Sequence, residues 1–166
     1  MFETKYLKED VRNIQKLLTI PIFKHFEIEN LGGLVKRSKI REYEDKEQII
    51  KEGDKDPWLY FLLSGKVTIT KKGKVVGSLQ RAGDIFGEMS LIDSSKRSAS
   101  AYSIGKTICL ATDTDRIKEI AGDDRIMFSY ILYRVFALTV TERLRFTTDQ
   151  LIQAKEQLEA LKQKEK

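Results

Sequence analysis

At 166 residues the chain has the length of one domain with an appended helix, enough to bury a proper core. Its apolar fraction of 41% and charged fraction of 33% describe a soluble globular protein. The net charge of +5 helps to attract an anion, one cysteine excludes an internal disulfide, and no run of about eighteen apolar residues could span a membrane.

Most lysines are interleaved with acids and read as surface solvation. The N-terminus mixes charges and lacks a secretory apolar core, and the lone Cys109 lies in the apolar stretch 107–111, where a buried structural thiol is expected. A reducing compartment, the cytoplasm, is the expected location.

In chain order, Val11, Ile14, Leu17 and Leu18 recur at helical spacing over residues 7–18, and Pro21 ends that pattern. Residues 22–26 suggest a turn and 27–34 a second short helix, with Gly32-Gly33 marking a weak or broken end. Residues 1–36 therefore form a helical lead-in. From 37 to 112 the chain reads as β structure. Residues 66–70 alternate sides, 71–74 form a hairpin turn before 75–79, and 58–63 is an apolar run buried on both faces. Several short strands at such spacing indicate a sandwich or barrel, without selecting its topology.

The pattern changes again over 113–166. Asp113-Thr114-Asp115 offers a helix cap, 116–121 a short helix, and Gly122-Asp123-Asp124 a break. From about residue 125 onward no Gly or Pro occurs, and one long helix is expected. Ala137, Val140, Leu144, Thr147, Leu151, Ala154, Leu158 and Leu161 follow an alternating three-four spacing flanked by charges such as Arg145, Lys155, Glu156 and Lys162. Packing against the chain's own β structure accounts for the 128–136 part. The distal stripe needs a partner, and a parallel two-stranded homodimer is the expectation.

The chemistry concentrates in Phe86-Gly87-Glu88-Met89-Ser90-Leu91-Ile92 and, shortly after, Lys96-Arg97-Ser98-Ala99-Ser100. Glycine lets backbone approach an anion closely, and amides opening the next turn point at it. The planar fork of Arg97 suits a phosphate, and Ser98 can add a hydroxyl donor. Ionised Glu88 accepts only, which fits a sugar hydroxyl rather than a phosphate.

This stretch resembles the phosphate-binding cassette of cyclic-nucleotide-binding domains, of the catabolite activator and kinase regulatory subunit type. The likeness extends through Ile49-Ile50-Lys51-Glu52-Gly53-Asp54, Leu59-Tyr60-Phe61-Leu62-Leu63-Ser64-Gly65-Lys66-Val67 and Gly83-Asp84, over roughly residues 20–125 in one register. The resemblance implies a mainly β protein with flanking α: a jelly-roll barrel with N-terminal helices and a long C-terminal helix, the cassette at 86–99. It assigns a cyclic phosphate to Arg97, Ser98 and the amides around Glu88, Met89, Ser90 and Ala99, with Phe86 and Gly87 opening the cassette. It gives the ribose 2′-hydroxyl to Glu88. The base is expected to be capped from the C-terminal helix, with Tyr130, Tyr133, Arg134 and Thr139 all open as the capping residue.

Cyclic AMP is the expected ligand, and cyclic GMP stays open because a hydroxyl after the arginine occurs in binders of both. No cofactor or metal is implied. Lys96 and Arg81-Ala82 stand where prolines are common in the family. The activator resemblance also favours a homodimer through the long helix. With the chain ending at Lys166, no helix-turn-helix reader is expected, and a stand-alone sensor acting on an unknown effector is the reading. Catalysis is not expected, because the only histidine, His25, lies in the helical lead-in and no Ser-His-Asp, Cys-His or clustered-histidine set can be built around it. The alternatives are an Arg97–Glu88 pair that serves only the fold, and a homodimerisation module that keeps the fold without using the pocket.

Overall fold

The computed structural model describes residues 1–5, 7, 15, 17–18, 20, 23–24, 28–89, 95–117 and 123–164. Its elements are β1 (Phe2–Glu3), α1 (Ile28–Lys36), β2 (Ser38–Tyr43), β3 (Gln48–Ile50), β4 (Trp58–Lys71), β5 (Lys74–Leu79), β6 (Ile85–Phe86), β7 (Ser100–Asp113), a 3-10 turn (Asp115–Ile117) and α2 (Asp123–Lys164). The helix expected over 7–18 falls largely outside the described residues, as does most of the one expected over 116–121.

The strands form one antiparallel seven-stranded sheet in the order β1-β2-β7-β4-β5, with β3 added to β7 and β6 to β4. Its spine is the pairing of the two 14-residue strands, from Trp58 opposite Asp113 to Thr70 opposite Ser100. Register shifts at Ser64 interrupt that ladder. Gly65 allows the crossing: at φ +92° a Cβ would lie 2.6 Å from the Lys106 carbonyl oxygen and 2.7 Å from Thr107 Cα.

The alternation of β4 assigns its side chains to two faces. Leu59 and Phe61 point one way, and Phe61 meets Phe23 with ring centroids 5.0 Å apart. Tyr60 and Leu62 point the other way, into a cluster with Tyr43, Ile49, Ile50, Val67, Phe86, Ala101, Cys109 and Ala111, flanked by Trp58. The 58–63 run is thus buried on both faces from Leu59 to Leu62, as its composition predicts. The expected hairpin also forms. Lys71 pairs with Lys74, and Lys72 and Gly73 take φ values of 50° and 74°, the positive pair that a tight two-residue turn requires.

One expectation is corrected. Gly32-Gly33 does not end α1, which continues to Lys36. Leu31, Leu34 and Val35 are fully buried, and this packing outweighs the poor helix propensity of two glycines.

By compactness the chain divides into two units, residues 1–132 and 133–166. The first holds the sheet and the start of α2. Asp113 caps the turn leading to that helix, its carboxylate accepting the Asp115 and Arg116 amides. The second unit is the remainder of α2, on which Val140, Leu144, Leu151, Leu158 and Leu161 are all exposed.

Candidate ligand-binding site

β6 delivers the cassette. Its Phe86 pairs with Tyr60 across the ladder, and the two rings stack with centroids 5.1 Å apart. Gly87 follows at φ +83°, turning the chain out of the strand. Glu88 is buried and Met89 is exposed. Ser90 and residues 91–94 lie outside the described residues.

The return limb is tied down by a reciprocal backbone pair. The Arg97 amide donates to the Asp54 carbonyl at 2.9 Å, and the Gly53 amide donates to the Arg97 carbonyl at 2.9 Å. Ser100, at the start of β7, accepts the Glu52 amide at 2.9 Å. Ser98 donates to the Met89 sulfur at 3.4 Å, which brings the two limbs together. Ala99 is half-buried between Ser98 and β7.

Arg97 is 3% exposed, and its guanidinium is embraced by protein acceptors. Nε donates to Asp56 at 2.8 Å and Nη2 donates to the other oxygen of the same carboxylate, a bidentate fork. The Gly87 and Trp58 carbonyls receive further bonds from Nη1 and Nη2. Asp56 also accepts the Trp58 amide at 3.0 Å, so one carboxylate ties the turn ahead of β4 to the cassette. The site therefore already holds an oxyanion, supplied by the chain itself.

The structure brings Gly87 against Arg97 and Met89 against Ser98, while Phe86, Glu88 and Ala99 adjoin these residues in the chain. Of the base-capping candidates, Tyr130 is exposed on α2 in the first unit, while Tyr133, Arg134 and Thr139 belong to the second. Sequence reading missed Asp56 and Trp58 as neighbours of Arg97. Asp56 lies 41 positions away in an ordinary Gly-Asp-Lys-Asp-Pro turn, and no periodicity links positions so far apart.

The family described as cyclic nucleotide-binding domain matches residues 40–124, from β2 into the start of α2. The chain belongs to that family. The cGMP-dependent protein kinase of Eimeria tenella is 30% identical over 139 residues, 80% of this chain and 14% of the kinase. The catabolite activator protein of Thermus thermophilus aligns with a TM-score of 0.62 and 28% identity, over 81% of this chain and 63% of its own. A cyclic nucleotide-binding domain from Methylobacillus flagellatus shares the fold, with a TM-score of 0.71 at 24% identity over 86% of this chain and 82% of that one.

The seven-stranded antiparallel sheet with its C-terminal helix is consistent with the β-barrel of this family. The family is a regulatory, ligand-binding one rather than a catalytic one. Among the described residues, no helix is long and apolar enough to cross a membrane, and no group of three or more His, Cys, Asp or Glu side chains could hold a metal ion.

Proposed function

We propose that the chain is a sensor that binds cyclic AMP, or failing that cyclic GMP, at the cassette of residues 86–99 and passes occupancy on to its C-terminal helix. The observation that carries this reading is the bidentate Arg97–Asp56 pair beside the Gly87 turn. A guanidinium that grips a carboxylate with two parallel bonds can grip a cyclic phosphate with the same two donors. In this reading the phosphate takes over the Asp56 fork, Ser98 adds a hydroxyl, and buried Glu88 accepts from the ribose. The sheet is assigned as the jelly-roll barrel of the family.

Transmission has a short physical route. The Pro57 carbonyl, next to Asp56, accepts both the amide and the hydroxyl of Thr114, at 2.9 and 2.6 Å. Thr114 directly precedes the turn that leads to α2. A shift of Asp56 on ligand binding therefore pulls on the root of the helix. The ligand moves that equilibrium only by its differential affinity for the two positions. The exposed leucines of α2 are assigned to a homodimer seam, and the effector is a partner protein still to be identified.

The test is calorimetric titration with cyclic AMP and cyclic GMP, repeated on Arg97→Ala and Arg97→Lys. Loss of the fork should weaken binding by about 30-fold or more in the alanine variant, the scale of a buried charge partner removed. The lysine variant keeps the charge without the fork and should fall between. Unchanged affinity in either folded variant overturns the assignment. A second reading, a dimerisation module that no longer uses its pocket, is favoured by the saturation of Arg97 with protein acceptors. It predicts neither heat nor thermal stabilisation at millimolar nucleotide.

A further inference from the structure

Among the described residues two arginines are buried, Arg97 and Arg41. Arg41 lies on β2, and two of its contacts lead back to the cassette. Its Nη1 donates to the Tyr60 hydroxyl at 2.8 Å, and Tyr60 stacks on Phe86. Its guanidinium carbon sits 3.9 Å from the centre of the Trp58 ring, while the Trp58 carbonyl accepts from Arg97. Two arginines therefore flank one tryptophan, one on its ring and one on its backbone.

Each arginine is held by a carboxylate from outside the cassette. Asp56 takes Arg97, and Glu3 takes the Nε of Arg41. The other Glu3 oxygen accepts from Lys39 at 2.6 Å. Glu3 rides on β1, a strand of only two residues that pairs with Arg41 and Glu42 at the edge of the sheet. The segment around this strand is tied down further by the Met1 ammonium on Glu47, the Thr4 and Leu7 amides on the Ile40 and Ser38 carbonyls, and the Ile40 amide on the Thr4 hydroxyl. Glu3 therefore leaves Arg41 by rotation of its partly exposed side chain rather than by release of the strand.

We infer that Arg41 is a second cation of the anion site, and that Glu3 on the N-terminal strand is a carboxylate lock competing for it with the phosphate of a nucleotide. The inference rests on the nucleotide-binding reading of the cassette. With the lock closed, Glu3 cancels one of the two positive charges of Lys39 and Arg41. With it open, Glu3 no longer offsets either charge, Lys39 beside the Trp58 ring and Arg41 beside the Trp58 and Tyr60 rings, and the potential there favours an anion.

Trp58 is the only tryptophan in the chain, so its emission reports on this corner alone. Cyclic AMP is titrated into the wild type, Glu3→Gln, Arg41→Lys and the double variant, with circular dichroism and thermal melting as checks of folding. Glu3→Gln should bind about threefold to tenfold more tightly, a modest gain fitting a partly solvated charge. Arg41→Lys, which loses the planar guanidinium that reaches Tyr60 and stacks on the Trp58 ring, should bind more weakly, and adding Glu3→Gln to it should restore little. Equal or weaker binding by folded Glu3→Gln overturns the lock, and so does an undiminished gain in the Arg41→Lys background. If no variant binds cyclic AMP or cyclic GMP, the nucleotide reading falls separately. Inorganic pyrophosphate then decides the lock: a tighter response in Glu3→Gln than in the wild type supports it, and an equal or absent response overturns it.

Discussion

Gly87 is the residue on which the cassette turns, for two separable reasons. Its φ of +83° disfavours any side chain, and a Cβ there would also lie 2.7 Å from Nη1 of Arg97 and 3.2 Å from the Trp58 carbonyl. Gly53 supplies the control, because it has φ +85° and a Cβ at that position would meet nothing within 4 Å. Gly53→Ala should cost about 1 kcal/mol of stability from backbone strain alone. Gly87→Ala should cost about 1–3 kcal/mol and displace Arg97, lowering nucleotide affinity as well. Urea unfolding and calorimetry on the two variants check this, and equal effects would remove the steric half of the argument. The importance of Gly87 was legible from its place in the Phe-Gly-Glu run. That the Arg97 guanidinium occupies the space of its missing side chain was not, because the two residues meet only when β6 and the start of β7 are brought together.

At the scale of elements, β7 carries Cys109 into the interior of the sheet. Burial pushes its thiol up to about 12, the Arg41 charge only partly opposing it. A thiol with that pKa is almost wholly protonated at pH 8, and it is also fully buried. A thiol-reactive disulfide reagent at pH 8 should therefore leave the native protein unmodified for hours and react within minutes in guanidinium chloride. Rapid modification of the native protein would contradict the burial. The apolar run around Cys109 made this legible in advance. The same style of reading failed for α1, where the glycine pair signalled an end but buried neighbours carried the helix onward. It also missed β1, since two residues hold no periodicity and form a strand only because β2 offers an open edge.

For the whole molecule, the exposed seam of α2 sets the assembly proposed above. Leu144, Leu151, Leu158 and Leu161 are each more than half exposed in a single chain, whereas Ile131, Val135 and Phe136 earlier on the same helix are buried. The distal part therefore lacks the apolar packing from which most helix stability in proteins comes. Sedimentation should show a dimer, with helicity that falls on dilution. Leu151→Asp should give a monomer with less helix while cyclic nucleotide binding by the sheet persists. A wild-type monomer of full helicity at micromolar concentration would argue against the seam. The long helix, the Lys72-Gly73 hairpin and the buried 58–63 run were determined by the sequence itself, because each rests on local spacing or on a contiguous pattern. The pairing of Arg97 with Asp56 and of Arg41 with Glu3 was decided by tertiary structure alone. Those partners lie 41 and 38 positions apart, and their contact depends on strand order and edge pairing, which no local pattern of side chains encodes.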